Sequence, residues 1–331
     1  SYQSTASFGE VNVAGAEGIL KVKLYPGIAN TVFGLGAGTG LTGGTSSSVI
    51  IGTYAGINIR ANANTVIGKD SGRFLGQAYS QNNVAVGYQA LMGASASPST
   101  NEANNNVAVG YQSALDITTG YENVTIGHAA AANITTGYRS VIIGKSAGDA
   151  ITTTPGVVLI GYNAGGAINH DDAAYTVAIG QSAGAAITSG RYQTLVGYNA
   201  GVSITEGDSN TFIGYNSGDA LTTGLENTAL GYSSLGANIT GQRSVAIGNN
   251  ALGTNLTSGW TYNTAVGWGA GSNNTVGSSG TFIGSRAGYN ATGSYNTFVG
   301  TSAGEGGTTS APFSSGQKNT AIGYAALDAF T

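Results

Sequence analysis

The chain has no cysteine, four prolines, one methionine and two histidines among 331 residues. Without cysteine there is no disulfide staple and no thiolate metal site. Charged residues make up only 8% of the chain, against about a quarter in ordinary globular proteins. No basic run exists to neutralise a phosphate backbone, so nucleic acid is not an expected partner. No stretch reaches the roughly 18 apolar residues of a membrane helix, so no membrane insertion is expected either. With His128 and His170 alone, and no catalytic motif around either, His-assisted nucleophilic catalysis has little to draw on. No Gly-rich stretch continues into the Lys-Ser/Thr of a phosphate loop.

What is abundant is glycine, with 56 residues, and hydrophobic residues at 41%. Asn, Thr and Ser fill the polar share. That mixture favours extended, turn-rich backbone over helix and is too apolar for a disordered tract.

One short element recurs, as in Asn30-Thr-Val-Phe-Gly34, Ser140-Val-Ile-Ile-Gly144, Asn210-Thr-Phe-Ile-Gly214 and Asn319-Thr-Ala-Ile-Gly323. Its glycines are Gly34, Gly52, Gly68, Gly87, Gly110, Gly127, Gly144, Gly161, Gly180, Gly197, Gly214, Gly231, Gly248, Gly267, Gly284, Gly300 and Gly323. Eight of the sixteen spacings are 17 residues and the rest run from 16 to 23. That period is too short for helical repeats or propeller blades and fits one turn of a β-solenoid. The expected fold is all-β, a solenoid of about 17 coils, preceded by a cap or attachment segment over 1–29 and filling 30–331. At roughly 4.8 Å per coil, such a rod would be on the order of 80 Å long.

Alignment on the glycine gives a code for the strand before it. The first strand position, three before the glycine, holds only Thr or Val. The last, one before it, holds Ile, Val or Leu except at Phe33. Side chains alternate along a strand, so these two positions share a face, which we expect to be the solenoid interior. The middle position is apolar in every copy but one, Thr125. It belongs to the other face. A strand apolar on both faces is buried on both, so a second copy of the chain is expected to cover the outer one.

Three residues after the glycine only Ala or Ser occurs, and Gly or Leu usually follows, as at Asn163-Ala-Gly165. The small residue marks a tight corner, and the repeated glycines, Gly127, Gly144, Gly161, Gly197, Gly214, Gly231 and Gly248 among them, are expected at positive φ. A second, weaker strand is expected around Ile117, Ile134, Ile151, Ile187, Ile204 and Leu221. Ten copies carry Asn four residues before the glycine, and stacked Asn side chains there can hydrogen-bond from coil to coil.

The segments Asn83-Val-Ala-Val-Gly-Tyr-Gln-Ala-Leu91, Asn106-Val-Ala-Val-Gly-Tyr-Gln-Ser113 and Asn227-Thr-Ala-Leu-Gly-Tyr232 resemble two related groups of repeats. One is the β-roll head of trimeric autotransporter adhesins. The other is a set of phage tail-fibre and bacterial surface proteins. The resemblance covers roughly 30–327. It implies a homotrimeric β-roll, extracellular, on a virion or cell surface, with surface-fibre proteins and a cell-surface glycan or receptor as partners. The period here is longer than in adhesin heads, and neither a coiled-coil stalk nor a membrane anchor domain is present, which favours a fibre over a complete autotransporter.

The candidate ligand residues are aromatic. Tyr follows the glycine at 88, 111, 162, 198, 215, 232 and 324, with Trp268 and His128 in the same column. Tyr162, Tyr198, Tyr215, Tyr232 and Trp268 offer a ladder for sugar rings. The plainer alternative is that the rings only support the corner between coils. Loops at 94–105, 306–318 and Asn169-His-Asp-Asp-Ala173 are further recognition candidates. His170, Asp171 and Asp172, and Glu206 with Asp208, lack the spacing of a cation site, so no metal and no cofactor is expected. The expected function is a structural and adhesive fibre, not an enzyme. Two alternatives stay open: a filament subunit joined end to end through coil edges, and a polysaccharide-degrading spike with paired carboxylates.

Overall fold

The computed structural model describes residues 30–39, 41, 47–59, 62–75, 80–94, 102–254, 258–307 and 315–328. The expected cap over 1–29 lies outside them. The chain divides into two compact units, Ser1–Val157 and Val158–Thr331. Each is a parallel β-solenoid with a period of about 17 residues, and no α-helix occurs among the described residues.

In the first unit the strands are β1 (Thr31–Phe33), β2 (Val49–Ile51), β3 (Thr65–Ile67), β4 (Val84–Val86), β5 (Val107–Val109), β6 (Val124–Ile126) and β7 (Val141–Ile143). Each pairs in parallel with the next, without slippage. The second unit holds β8 (Val158–Ile160), β9 (Val177–Ile179), β10 (Thr194–Val196), β11 (Thr211–Ile213), β12 (Thr228–Leu230), β13 (Thr240–Gln242), β14 (Val245–Ile247), β15 (Ser258–Trp260), β16 (Thr264–Val266), β17 (Thr281–Ile283), β18 (Thr297–Val299) and β19 (Thr320–Ile322). All but β13 and β15 form its main sheet, again in register. Register keeps each motif position in a straight column. Strands stop at three residues because left-handed backbone brackets them, as Tyr192 (φ 56°) and Gly197 (φ 139°) bracket β10.

The expected inside and outside are reversed. The middle residue is the buried one: Ile50, Val66, Ile142, Leu159, Leu195, Phe212, Phe282 and Phe298 are fully enclosed. The first and last residues of each strand are half-exposed or exposed, as in β11 and β12. The reason lies beyond the glycine, where the chain folds back over the middle residue. The Ala or Ser three residues on is buried in every coil but those of Ala37 and Ala326. The next residue adjusts to the size of the middle one. Gly72 faces Val66, and a Cβ there would come 3.1 Å from its methyls; Gly165 faces Leu159, at 2.7 Å. Where the middle residue is Ala85, Ala229 or Ala246, the same place holds the buried Leu91, Leu235 or Leu252. Ala178 with Gly184 and Ala265 with Gly271 break the rule within one coil, but Leu195 and Phe282 of the following coils fill the gaps, 2.8 and 2.6 Å from a Cβ at those glycines, while Ala108 meets only the small Ala114. The core thus keeps its density coil by coil. Thr125, the polar middle residue, is buried and held by Ser113, whose Oγ lies 2.8 Å from Thr125 Oγ1 and 2.9 Å from its carbonyl.

The second strand is also corrected. Ile117, Ile134, Ile151, Ile187, Ile204 and Leu221 are buried, but they lie outside any strand and lead straight into bends. The N–H groups of Thr118, Thr119 and Gly120 converge on one carbonyl, Thr135 O, at 2.9, 3.2 and 3.0 Å. Extended pairing gives each N–H its own acceptor, so this fan ends a ladder before it starts. Among the described residues only β13 and β15 form a strand pair there.

The Asn column forms a buried ladder. The Asn227 N–H and Nδ2 both donate to Asn210 Oδ1, at 3.0 and 3.2 Å, and Nδ2 also reaches Gly241 O at 2.8 Å. Asn123 repeats the pattern with Asn106 and Gly137. Each side chain saturates a bend that would otherwise bury unpaired backbone groups.

Candidate functional site

The corner after each strand sets the surface columns. Gly214 (φ 140°) and Gly231 (φ 134°) occupy backbone that a side chain disfavours. A Cβ at Gly231 would lie 2.7 Å from the carbonyl of Gly248 one coil on. Gly127, Gly144, Gly161, Gly197 and Gly248 share this conformation, with φ between 128° and 139°.

The residue after the glycine is thrown outward. Tyr198, Tyr215 and Tyr232 stack face to face, with centroids 4.9 and 5.4 Å apart and planes 12° and 6° from parallel. Tyr88, Tyr111 and His128 do the same in the first unit, at 5.3 and 4.8 Å. Trp268 instead lies 6.5 Å from Tyr289. Tyr162 is half-exposed, with Gln181 one coil on in its column. Rings stacked this closely cover each other's faces, whereas a sugar docks on a face. The rows therefore offer ring edges and hydroxyls. The structure brings three of the five proposed ligand residues into one row and leaves Tyr162 and Trp268 apart from it.

The outward sheet face is the larger feature. Its two columns, the first and last strand positions, contain no charged residue in any copy. Ile213, Leu230 and Ile283 are 38, 44 and 41% exposed there. A second column with scattered tyrosines, missed in the sequence, borders the face on the other side, with Ser209, Glu226, Arg243 and Ser279 between them. It stands five residues before the glycine, where Tyr175, Tyr192, Tyr262 and Tyr295 are exposed at positive φ. Its signal was a column of left-handed residues lying between the copies of the motif rather than in them.

Charges cluster on that lead-in side as pairs between neighbouring coils. Arg139 meets Glu122 at 2.8 Å and lies 5.8 Å over the stacked rings of Tyr121 and Tyr138. Arg191 meets Asp208 at 3.0 Å, and Arg243 meets Glu226 at 2.6 Å. The hydrogen bond from Arg243 holds the Glu226 carboxyl below its ordinary range. On the far corner, burial pushes the carboxyls of Asp116, Asp149 and Asp219 upward.

The remaining candidates disperse. His170 caps a short 3-10 turn, Asp171–Ala173, with Nδ1 accepting from the Asp172 N–H at 3.2 Å. Asp208 is engaged by Arg191 rather than by Glu206. Among the described residues no group of three or more His, Asp or Glu could hold a metal ion. Residues 95–101 and 308–314, within the two long insertions, lie outside the described residues. Compared with known protein families, curated proteins and solved structures, the chain matches none.

Proposed function

We propose that the chain is the rigid part of a structural and adhesive fibre, extracellular, on a phage virion or a bacterial surface, with copies associated in threes. The observation that carries this reading is the seam between coils. Strand register, the Asn ladder, the Thr side chains and the aromatic rows all bond each coil to its neighbour in one direction. Such construction resists bending and suits a spacer that holds recognition loops away from a surface. The resemblance of the Asn-Thr/Val-Ala-Ile/Val-Gly-Tyr repeat to β-roll fibres supports it. Antibody-gold labelling of whole particles and cells that produce the protein tests it. Label on tails or envelopes is expected, and label confined to the cell interior would overturn the reading.

A further inference from the structure

The aromatic rows carry a chemistry that support of the corner does not require. Directly after the corner glycine, Tyr stands in seven of the seventeen copies and Phe in none. A ring that only props the corner could be a phenyl ring. A phenol can also give up an electron and a proton.

Among the described residues, tyrosines stack between neighbouring coils in both units. Tyr198 with Tyr215 and Tyr215 with Tyr232 do so in the second, with centroids 4.9 and 5.4 Å apart. Tyr88 with Tyr111, and Tyr121 with Tyr138 on the lead-in side, do so in the first, at 5.3 and 4.9 Å. No pair of planes is more than 16° from parallel. The backbone is tied at the same place. The Asn216 N–H donates to the Tyr198 carbonyl and the Ser233 N–H to the Tyr215 carbonyl, both at 2.9 Å. Coils therefore stay together at this corner, while half-exposed rings swing freely on their side-chain bonds. Reactive groups held as neighbours need no diffusional encounter. The chain also has no cysteine, whose thiol would be oxidised first and quench a ring radical.

We propose that the stacked tyrosine pairs are sites of oxidative cross-linking, joined coil to coil by a bond between ring carbons ortho to the two hydroxyls. The oxidant is of the peroxide class, acting through a haem peroxidase. Each ring loses one electron and its phenolic proton, and the two phenoxyl radicals couple at the ortho carbons. The ortho C–H bonds then break, and their protons return through water to the ring oxygens, restoring both phenols. Hydrogen peroxide takes up the two electrons and two protons and leaves as two water molecules. Each link makes the chain lighter by two hydrogen atoms. Tyr215 has an ortho carbon for each neighbour, so its row can be joined twice. The links lie within one chain and do not depend on the fibre reading.

Treatment of the dilute full chain with a haem peroxidase and hydrogen peroxide tests the proposal. Dityrosine fluorescence should appear. Peptide mapping should join Tyr198 to Tyr215, Tyr215 to Tyr232, Tyr88 to Tyr111 and Tyr121 to Tyr138. Tyr215→Phe should abolish both links of its row and leave that of Tyr121 and Tyr138. The chain carries its own control. Tyr175 and Tyr192 stand on adjacent coils and are 63 and 60% exposed, but among the described residues no ring contact joins them. Links there should be few. Linking at Tyr175 and Tyr192 as ready as in the stacked pairs, or none in the stacked pairs, would overturn the proposal. So would the same preference in urea, where spacing along the chain survives and stacking does not.

Discussion

Phe212 occupies the space that a side chain at Gly218 would need, and its ring carbon Cζ would sit 2.8 Å from a Cβ placed there. The two residues act as one volume, split differently from coil to coil. Phe212→Ala should therefore cost about 3–5 kcal/mol, the usual price of an emptied core site. Adding Gly218→Leu copies the natural pair of Ala229 and Leu235 and should recover about half of that loss. Urea denaturation of both variants checks this. A double variant no more stable than Phe212→Ala would refute the compensation.

The Asn ladder gives a second prediction. Asn227→Ala would strip Nδ2 donors from Asn210 Oδ1 and Gly241 O, and the acceptor from the Ser244 N–H. With each buried orphan worth about 1–3 kcal/mol, a loss of about 2–4 kcal/mol is expected. Hydrogen exchange should accelerate at Ser244 before it does at Thr211.

Backbone conformation gives a pair of opposite outcomes. Gly214→Ala pushes a methyl against the backbone of Gly231 at φ 140° and should destabilise by more than about 2 kcal/mol. Ser279→Gly, at φ 57°, relieves left-handed strain and should stabilise by about 0.5–1 kcal/mol. Thermal melts of the two variants should move in opposite directions.

The pH dependence follows from Asp116, whose carboxyl burial pushes upward. A raised folded value means the native state holds its proton more tightly than the unfolded chain. Its favourable contribution is complete below the ordinary carboxyl range and fades as pH rises through the raised value. Asp116→Asn should thus raise the melting temperature at pH 7 and leave it unchanged near pH 3. Glu226 runs the other way: its contribution is present above the ordinary range and lost as pH falls through the lowered value. Glu226→Gln should lower the melting temperature slightly at pH 7 and not near pH 3.

The period, the corner glycines and the Asn stack were legible because each depends on the identity of single residues held in column. Inside and outside were not, because alternation separates two faces without saying which is enclosed. The deciding signal was present. Leu91, Leu235 and Leu252 follow coils with Ala85, Ala229 and Ala246, while Gly72, Gly218 and Gly288 follow Val66, Phe212 and Phe282. Only residues that share one space trade volume that way. The second strand was misread because Ile117 and Ile134 have strand-like side chains. Their Thr-Thr-Gly sequel turns three N–H groups onto one carbonyl, a backbone event that side-chain type does not report.

The compensated pair also makes the coil a heritable module. Because Phe212 and Gly218 belong to the same turn, a duplicated stretch of 17 residues around them carries its own packing with it, whereas the turn of Ala178 and Gly184 needs Leu195 of the next. The join falls between equivalent glycines, and each neighbour meets the backbone it met before. Length can then change in whole steps while the cross-section stays fixed, so reach becomes a trait that recombination tunes without redesigning the core.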